Sequence, residues 1–207
     1  HIRQQLEAVG NPAAPAAERE ACVADAQTAI DEIMRTFDAI LSLSEIESGS
    51  TANDFETLDL AQIAATIANA YSADIESGGR RLLVSTPTPA MVQGNRYLLG
   101  RAIANLLENA VRHTAAGTDI SISVDSNGTT VHLGVADNGP GIPESERVRA
   151  LEPFYRLDRS RGSKGSGLGL AIVAAIARQH RATLVLSDAQ PGLKLTLGFS
   201  AKCGATG

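Results

Sequence analysis

The first fifty residues carry an apolar repeat whose members follow one another in alternating steps of three and four positions. No proline or glycine interrupts residues 16–48, and the repeat runs through Val23, Ala26, Ile30, Ile33, Phe37 and Ile40. This spacing predicts a helix of about thirty residues whose apolar face needs partner helices. A turn signal at residues 10–15 separates the helix from a shorter arm at residues 2–9. We therefore expect residues 1–50 to form part of a helical hairpin.

The pattern changes beyond Gly49, where residues 51–207 alternate between helical and strand periodicity. Helical patterns cover residues 58–77, 95–113 and 168–180. Strand patterns cover residues 81–85, 90–93, 119–125, 130–137, 183–187 and 194–199. Helices kept apart from a mixed, largely antiparallel sheet favour the α+β class, as a two-layer α/β sandwich that follows the partial hairpin. We expect residues 51–207 to form this second domain.

Composition and charge exclude several classes of protein. The chain has 207 residues, of which 43% are hydrophobic and 20% charged, as is typical of a folded globular protein. Its formal charge of −5 argues against nucleic-acid binding. Cys22 and Cys203 have neither metal-ligand nor redox spacing, which indicates a reducing compartment. The longest clean apolar run, at residues 168–177, is too short to cross a bilayer.

Two amide side chains one helical turn apart form the first candidate site. Asn105 and Asn109 leave the same face of the predicted helix at residues 95–113. Amide oxygens can complete the ligand shell of Mg²⁺, and the guanidinium of Arg112 has donors suited to phosphate oxygens. His113 stands beside the same face. A solvated polar helix face remains the alternative interpretation.

An aspartate followed by two glycines forms the second candidate site. Asp137 ends a predicted strand, where its carboxylate can accept a hydrogen bond from an adenine amino group. Gly139 and Gly141 allow the backbone to approach a base closely. An ordinary Asn-Gly/Pro-Gly turn is the alternative interpretation of this segment.

A glycine-rich loop that opens a helix forms the third candidate site. Gly165, Gly167 and Gly169 present backbone N–H groups and the positive end of a helix dipole, which together suit phosphate. The preceding basic stretch, residues 156–164, has no periodicity and is typical of a mobile lid over an anion. A flexible solvated loop is the alternative interpretation of that stretch.

The combination of these motifs, in this order and with these separations, resembles bacterial sensor histidine kinases of two-component signalling. Residues 105–114 resemble the N box of that family, 137–142 the G1 box, 153–156 the F box and 165–170 the G2 box. Residues 41–49 resemble the end of the second helix of the family's dimerisation and phosphotransfer domain. The resemblance therefore covers nearly the whole chain.

This resemblance implies ATP and Mg²⁺ as ligands and assigns a role to each motif. Asp137 is expected to bind the adenine amino group, and Asn109 with Asn105 to hold Mg²⁺. Phe154 is expected to anchor the lid by packing. The full set of implied ATP-binding residues is Asn105, Asn109, Arg112, His113, Asp137, Gly139, Gly141, Ile142, Phe154, Arg156, Lys164, Gly165, Ser166, Gly167, Leu168 and Gly169.

The sequence departs from related proteins at two points, and each departure refines the expected activity. Related ATPases such as gyrase carry a glutamate four residues before the metal-binding asparagine, where this chain has Asn105. Glu108 is expected to point to a different side of the helix, so that ATP hydrolysis should be poor. The family's phosphoacceptor box, a histidine followed by an acidic residue and Leu-Arg-x-Pro-Leu, is absent from the sequence. The acceptor histidine is therefore expected upstream of residue 1, and His1 is interpreted as a tag remnant.

The leading hypothesis is a sensor histidine kinase fragment that binds Mg-ATP. In the intact protein it would transfer the γ-phosphoryl group to a histidine, for relay to an aspartate in the receiver domain of a response regulator. We expect a homodimer through the helical hairpin, and a cytoplasmic position in a protein anchored in the bacterial inner membrane. Two alternatives are an acceptor-less signalling scaffold that binds nucleotide and a hydrolytic ATPase of the same superfamily.

Overall fold

The structure, a computed structural model, describes residues 15–48, 54–157 and 166–200. Its four α-helices are α1 (Ala16–Glu47), α2 (Leu60–Ser77), α3 (Arg96–His113) and α4 (Gly169–Gln179). Its seven strands are β1 (Glu56–Asp59), β2 (Arg81–Ser85), β3 (Met91–Gly94), β4 (Asp119–Ser126), β5 (Thr130–Asp137), β6 (Thr183–Asp188) and β7 (Leu193–Ser200). Two short 3₁₀ turns, Glu144–Glu146 and Arg149–Leu151, lie between β5 and α4.

Five strands form a mixed sheet in the order β2-β4-β5-β7-β6, and β1 pairs with β3 in a separate two-stranded sheet. The β2–β4 pair is parallel, and the other pairs of the large sheet are antiparallel. Helices α2 and α3 pack against each other and against the sheet, and α4 packs beside α3. These layers confirm the predicted α+β class and the predicted mixed, largely antiparallel sheet.

The apolar spacing of α3 determines which of its faces remains available for chemistry. The helix begins where the Asn95 side-chain oxygen accepts a hydrogen bond from the Leu98 N–H at 3.1 Å, as an N-cap. Its buried face consists of Leu98, Leu99, Ala102, Ile103, Leu106, Leu107 and Ala110. Because these side chains fill the core beneath the helix, the polar positions between them face away from the core.

The start of α2 corrects the predicted boundary of that helix. Residues 58 and 59, which the periodicity assigned to a helix, belong instead to β1, where Leu58 pairs with Val92. The Asp59 carboxylate accepts hydrogen bonds from the N–H groups of Ala61 at 3.0 Å and Ala90 at 2.9 Å. One side chain therefore caps α2 and ties it to β3. The helix begins after Asp59 because this cap needs an extended residue.

The long helix predicted from the heptad-like repeat is present as α1. Several residues of the repeat, Val23, Ile30, Ile33, Phe37 and Ile40, are nevertheless between 40% and 57% exposed. The C-terminal part of α1 packs on the rest of the molecule through Ile46, and Arg178 of α4 lies 3.4 Å from the Glu47 carboxylate. The predicted shorter arm, at residues 2–9, and Gly49 lie outside the described residues, so the hairpin and the division at residue 50 stay predictions.

None of the helices in the described ranges combines the length and the apolar character that crossing a membrane requires.

Candidate functional site

A cavity of about 600 Å³ opens between α3, the loop after β5 and the start of α4. Its volume lies in the range of sites that bind small molecules and cofactors. The structure brings the three candidate motifs together in its wall, which includes Asn105, Asn109, Arg112, His113, Asp137, Gly141, Ile142, Arg156, Ser166, Gly167 and Gly169. Lys164 and Gly165 lie outside the described residues. Segments that are up to 60 positions apart in the sequence therefore form one site.

A buried carboxylate stands at one end of the cavity, which we call the base end and define by Asp137, Gly139, Gly141 and Gly192. Asp137 is only 7% exposed, and its Oδ1 accepts a hydrogen bond from the Gly139 N–H at 2.8 Å. Burial raises the pKa of Asp137, while the N–H groups of Gly139 and Leu193 act in the opposite direction. The carboxylate is thus a preformed acceptor held by backbone groups.

Glycines at the base end are required by close backbone contacts. A Cβ atom on Gly139 would lie 2.7 Å from the Thr114 side chain, and one on Gly141 would lie 2.9 Å from the Gly192 carbonyl oxygen. Gly192 has a φ of +108°, and a Cβ there would lie 1.8 Å from the Asp137 carbonyl oxygen. Gly192 lies between the strands predicted at residues 183–187 and 194–199 and is not among the predicted site residues. Its part in the base end depends on a contact across about fifty residues, which local patterns do not contain.

The polar face of α3 forms another part of the cavity wall, which we call the phosphate end and define by Asn105, Asn109, Arg112 and His113. The Asn105 Nδ2 donates to the Arg101 carbonyl oxygen at 2.9 Å, and a Cβ on Gly169 would lie 3.3 Å from the Asn105 Oδ1. The start of α4 therefore crosses α3 directly above Asn105. The prediction that Asn105 and Asn109 share one face is confirmed, because both line the cavity.

The charges around the phosphate end suit an anion. Partial burial, together with the cations of Arg112 and Arg156, lowers the pKa of His113, and Asp137 acts in the opposite direction. The imidazole is therefore neutral at pH 7. Arg35 and Arg101 also line the cavity, although sequence reasoning named neither. Four guanidinium groups around one cavity provide bidentate donors of the kind that bind phosphate.

The loop before α4 is attached by its backbone. The Phe154 N–H donates to the Gly167 carbonyl oxygen at 3.1 Å, and a Cβ on Gly167 would lie 2.8 Å from the Tyr155 carbonyl oxygen. Phe154 is 59% exposed, and most of the lid that it is expected to anchor lies outside the described residues, so its anchoring role stays a prediction. Leu168 is buried in the core, so only its backbone can face a ligand.

Comparison with known proteins identifies the family. A family model described as "Histidine kinase-, DNA gyrase B-, and HSP90-like ATPase" matches residues 94–202, which include the base end and the phosphate end. The chain belongs to this family.

The curated relatives of this ATPase domain include sensor kinases. The chain is 33% identical over 163 residues to the sensor-like histidine kinase SenX3 of Mycolicibacterium smegmatis, covering 78% of this chain and 42% of that protein. It is 32% identical over 172 residues to the signal transduction histidine-protein kinase BaeS of Escherichia coli, covering 82% of this chain and 37% of that protein. The chain thus spans about two fifths of the length of these relatives.

Solved structures agree with this assignment. A mycobacterial sensor histidine kinase, MprB, matches with a TM-score of 0.61 and 27% identity, covering 72% of this chain and 98% of that one. The histidine kinase AdeS of Acinetobacter baumannii matches with a TM-score of 0.75 and 20% identity, covering 96% of this chain and 92% of that one. The latter likeness shows the fold alone. The recognition of a histidine kinase ATP-binding domain is confirmed.

The donors of this ATPase domain fit a magnesium ion that the nucleotide helps to hold. No group of three or more His, Cys, Asp or Glu side chains converges on one point within the described ranges. Mg²⁺ accepts few protein ligands and completes its octahedron with phosphates and water. The Asn109 side chain lines the cavity one turn from Asn105, so its amide oxygen would be the protein ligand beside the phosphates.

Glu108 also borders the cavity of this ATPase domain. Its carboxylate is nevertheless directed towards α2, whereas the Asn105 amide lies against the start of α4, which agrees with the expectation that Glu108 points to a different side of α3. One step of about 100° places it at the edge of the polar face, three residues after Asn105. Its Oε1 accepts a hydrogen bond from the Tyr71 hydroxyl at 2.7 Å, and burial together with this bond raises the pKa of Tyr71.

Helix α1 contributes the last part of the cavity wall. Arg35, Asp38 and Ala39 line it, and α1 packs against α4. Sequence reasoning placed these residues in a separate domain and gave them no role in the site. The apolar repeat of α1 predicts which positions need a partner, but it contains no signal for polar residues that meet residues more than sixty positions away in the sequence.

Proposed function

We propose that this chain binds Mg-ATP and that, in the intact protein, it supplies the γ-phosphoryl group to a histidine. The phosphoryl group would then pass to an aspartate in the receiver domain of a response regulator. The observation that carries this proposal is one cavity whose wall contains the buried acceptor Asp137, the amide of Asn109 and several cations. The names of the curated histidine kinase relatives support the same reaction class.

Each end of the cavity would recognise a different part of the nucleotide. At the base end the Asp137 carboxylate would accept a hydrogen bond from the adenine amino group, and Gly141 would let the backbone lie against the ring. At the phosphate end Arg112 would lie along the phosphate chain beside neutral His113. The N–H groups at the start of α4, where no side chain caps the helix, would add donors to phosphate oxygens.

The chemistry asked of this chain is positioning and charge neutralisation. Bound Mg²⁺ would draw negative charge from the phosphates, and the residues of the cavity would hold the γ-phosphoryl group in line with its acceptor. An imidazole nitrogen is a competent nucleophile without a strong base. Attack by water needs a base close to that water, and the Glu108 carboxylate is already bonded to the Tyr71 hydroxyl. This contact supports a kinase over a hydrolytic ATPase.

Calorimetric titration of this chain with ATP, in the presence and absence of Mg²⁺, tests the binding step. We expect one site per chain and tighter binding when the metal is present. A chain that gives no binding heat and no shift in melting temperature with ATP contradicts the proposal.

Incubation of the intact protein with γ-labelled Mg-ATP tests the transfer step. The expected product is labelled protein whose phosphoryl group is lost in acid and kept in alkali, as phosphohistidine is. ATP binding without labelling would support the acceptor-less scaffold. Continuous phosphate release that Glu108→Gln abolishes would instead establish a hydrolytic ATPase.

We also propose that α1 forms a homodimer through its exposed repeat. A helix with so many exposed apolar side chains gains stability when a partner helix covers them. Ile30→Glu, at a half-exposed position of the repeat, should shift the sedimentation of the intact protein towards the monomer. The control, Gln27→Glu, changes an exposed position outside the repeat and should leave the dimer intact.

In this proposal the chain is the cytoplasmic portion of a sensor that is anchored in the bacterial inner membrane. The names of the relatives refer to sensing and signal transduction, and they support such an arrangement. Fractionation of cells that express the intact protein tests it, with recovery in the membrane fraction as the expected result and recovery in the soluble fraction as the contrary one.

A further inference from the structure

Arg147 joins two backbone segments that meet at the base end, although it does not itself line the cavity. Its Nε donates to the Ile142 carbonyl oxygen at 3.1 Å, and its Nη2 lies 3.1 Å from the Asp188 carboxylate. The Arg147 side chain is only 17% exposed, whereas that of Asp188 is 62% exposed. The guanidinium is therefore held mainly within the protein and uses two different edges for two partners.

The first of these segments is the loop at residues 137–142, which carries Asp137 and ends at Ile142. The second is the turn between β6 and β7, in which the Ala189 N–H donates to the Gly192 carbonyl oxygen at 3.1 Å. The segments touch where Gly192 lies against Gly141 and the Asp137 carbonyl. Neither segment belongs to a helix or to the interior of a strand, so few regular hydrogen bonds hold them together.

The backbone of Arg147 is itself anchored. Its N–H donates to the Glu144 carbonyl oxygen at 3.3 Å, at the end of the 3₁₀ turn Glu144–Glu146. The side chain thus starts from a fixed point and spans to both segments. The neighbouring Arg149 differs, because it is exposed and lies over the Tyr155 ring with its guanidinium carbon 4.5 Å from the ring centroid.

We propose that Arg147 is a positioning residue for nucleotide binding. By tying Ile142 to Asp188 it holds the loop at residues 137–142 against the β6–β7 turn, and so keeps the Asp137 carboxylate at the cavity wall. The proposal rests on the proposed function, since it takes ATP as the ligand. The rival interpretation is a surface ion pair without consequence for the site, because many exposed pairs contribute little.

Arg147→Met tests this proposal, because methionine keeps part of the apolar stem and removes both polar contacts. We expect ATP to bind about tenfold more weakly, the effect of losing one or two hydrogen bonds to a charged group. Amide hydrogen exchange of the chain without ligand should accelerate at residues 138–142 and 189–193. Exchange in the centre of β4 and β5 should stay at the wild-type rate. Arg147→Lys can keep the ion pair but not both contacts. Its ATP affinity and its loop exchange should therefore lie between those of the wild type and those of Arg147→Met.

Arg96→Met is the matched control, since Arg96 pairs with Glu56 at 3.9 Å away from the base end. It should change neither ATP affinity nor loop exchange. Asp188→Asn provides a second variant that leaves the loop untouched, and it should weaken ATP binding about threefold through loss of the ion pair.

Three results would overturn the proposal: unchanged ATP affinity in both Arg147→Met and Asp188→Asn, unchanged exchange of the two segments, or equal acceleration of exchange across the whole sheet. The last result would make Arg147 a residue of general stability. A wild-type chain that fails to bind ATP refutes the proposed function instead. The exchange experiment still decides the role of Arg147 in that case, because it needs no ligand.

Discussion

The base end and the phosphate end of the cavity are built by different means. At the base end, the backbone of Gly192 contacts the backbone of Gly141 and Asp137. The Asp137 carboxylate accepts hydrogen bonds from the N–H groups of Gly139 and Leu193. At the phosphate end, Arg112 and His113 are exposed side chains on the outer face of a helix. The first end is held by contacts between backbone segments. The second end has side chains that a ligand can still order.

This difference assigns the two kinds of recognition to different parts of the fold. Asp137 pairs with Ile120 in the β4–β5 ladder, and Leu193 pairs with Asp188 in the β6–β7 ladder. Strand register therefore sets the position of the Asp137 backbone, while the loop that follows it depends on contacts outside the sheet. The phosphate end depends on rotamers and on the charge of what it binds. Under the proposed function, selection of the base would be preformed, while contacts to phosphate and metal would be completed on binding.

The largest expected effect comes from adding a methyl group where the two segments of the base end touch. Gly192→Ala would put a Cβ 1.8 Å from the Asp137 carbonyl oxygen, at a positive φ, so the turn must move. We expect the free energy of unfolding to fall by about 3 kcal/mol and ATP binding to be lost. Urea denaturation and calorimetry measure the two effects.

Gly128→Ala is the control for backbone strain, because Gly128 also has a positive φ of +88°, whereas a Cβ added there would meet no atom within 4 Å among the residues described. It should cost only about 1 kcal/mol and leave ATP binding unchanged. Equal losses in the two variants would mean that backbone strain alone, and not the contact between segments, limits the base end.

The second effect separates binding from folding at Asp137. Asp137→Asn keeps an oxygen for the Gly139 and Leu193 N–H groups but replaces the carboxylate, so ATP affinity should fall about thirtyfold. Burial raises the pKa of Asp137, so the folded chain binds more protons at this group than the unfolded chain does. Stability contributed by the protonated carboxyl is therefore lost as the pH rises through the folded pKa, and the ionised carboxylate then opposes folding. At pH 7.5 the urea midpoint of Asp137→Asn, whose side chain is neutral, should therefore be at least as high as that of the wild type. Unchanged ATP affinity by calorimetry would remove the adenine assignment.

The third effect belongs to the phosphate end and to the metal. Asn109→Ala removes the amide oxygen proposed for Mg²⁺, so Mg-ATP should bind about tenfold more weakly while metal-free ATP changes little. Asn69→Ala on the exposed surface of α2 is the control for loss of a helical asparagine. Calorimetry with Mg²⁺ and with a chelator measures both conditions, and equal losses in both would take Asn109 out of the metal site.

The smallest effect is a pH dependence at the phosphate end. Because burial and neighbouring cations lower the pKa of His113, its imidazole gains a proton only below its ordinary pKa of about 6.5. Charged His113 attracts phosphate, so the wild type should gain affinity relative to His113→Asn by about threefold between pH 7.5 and 5.5. The ratio of the two dissociation constants cancels the titration of ATP itself. A ratio that stays constant over this range would show that His113 does not contact phosphate.

The parts of the fold that the sequence predicted correctly depend on local spacing. The apolar spacing of α3 repeats within that helix, and apolar and polar residues alternate within β4 and within β5. Asn127-Gly128 lies in the short turn that connects these two strands. The sequence does not reveal the strand β1, because Leu58 continues the apolar pattern of the helix that follows. Its pairing with β3 brings in residues more than thirty positions away.

The same distinction holds for the site. Asn105 and Asn109 lie one turn apart on a helix, so their common face could be predicted from the sequence. Gly192, Arg147 and Arg35 owe their places to tertiary contacts, and nothing in their neighbourhoods distinguishes them from turn or surface residues. The different direction of Glu108 could also be predicted from helix geometry, whereas its hydrogen bond to Tyr71 of α2 depends on tertiary packing.

Because Arg35, Asp38 and Ala39 of α1 form part of the cavity wall, occupancy of the cavity and the placement of this helix are thermodynamically linked. A ligand that gains free energy from contact with α1 binds more tightly when α1 is docked, and it stabilises the docked position by the same amount. Any partner that pulls α1 away must supply that free energy. Binding of a ligand in the cavity and docking of α1 are thus coupled in a single equilibrium.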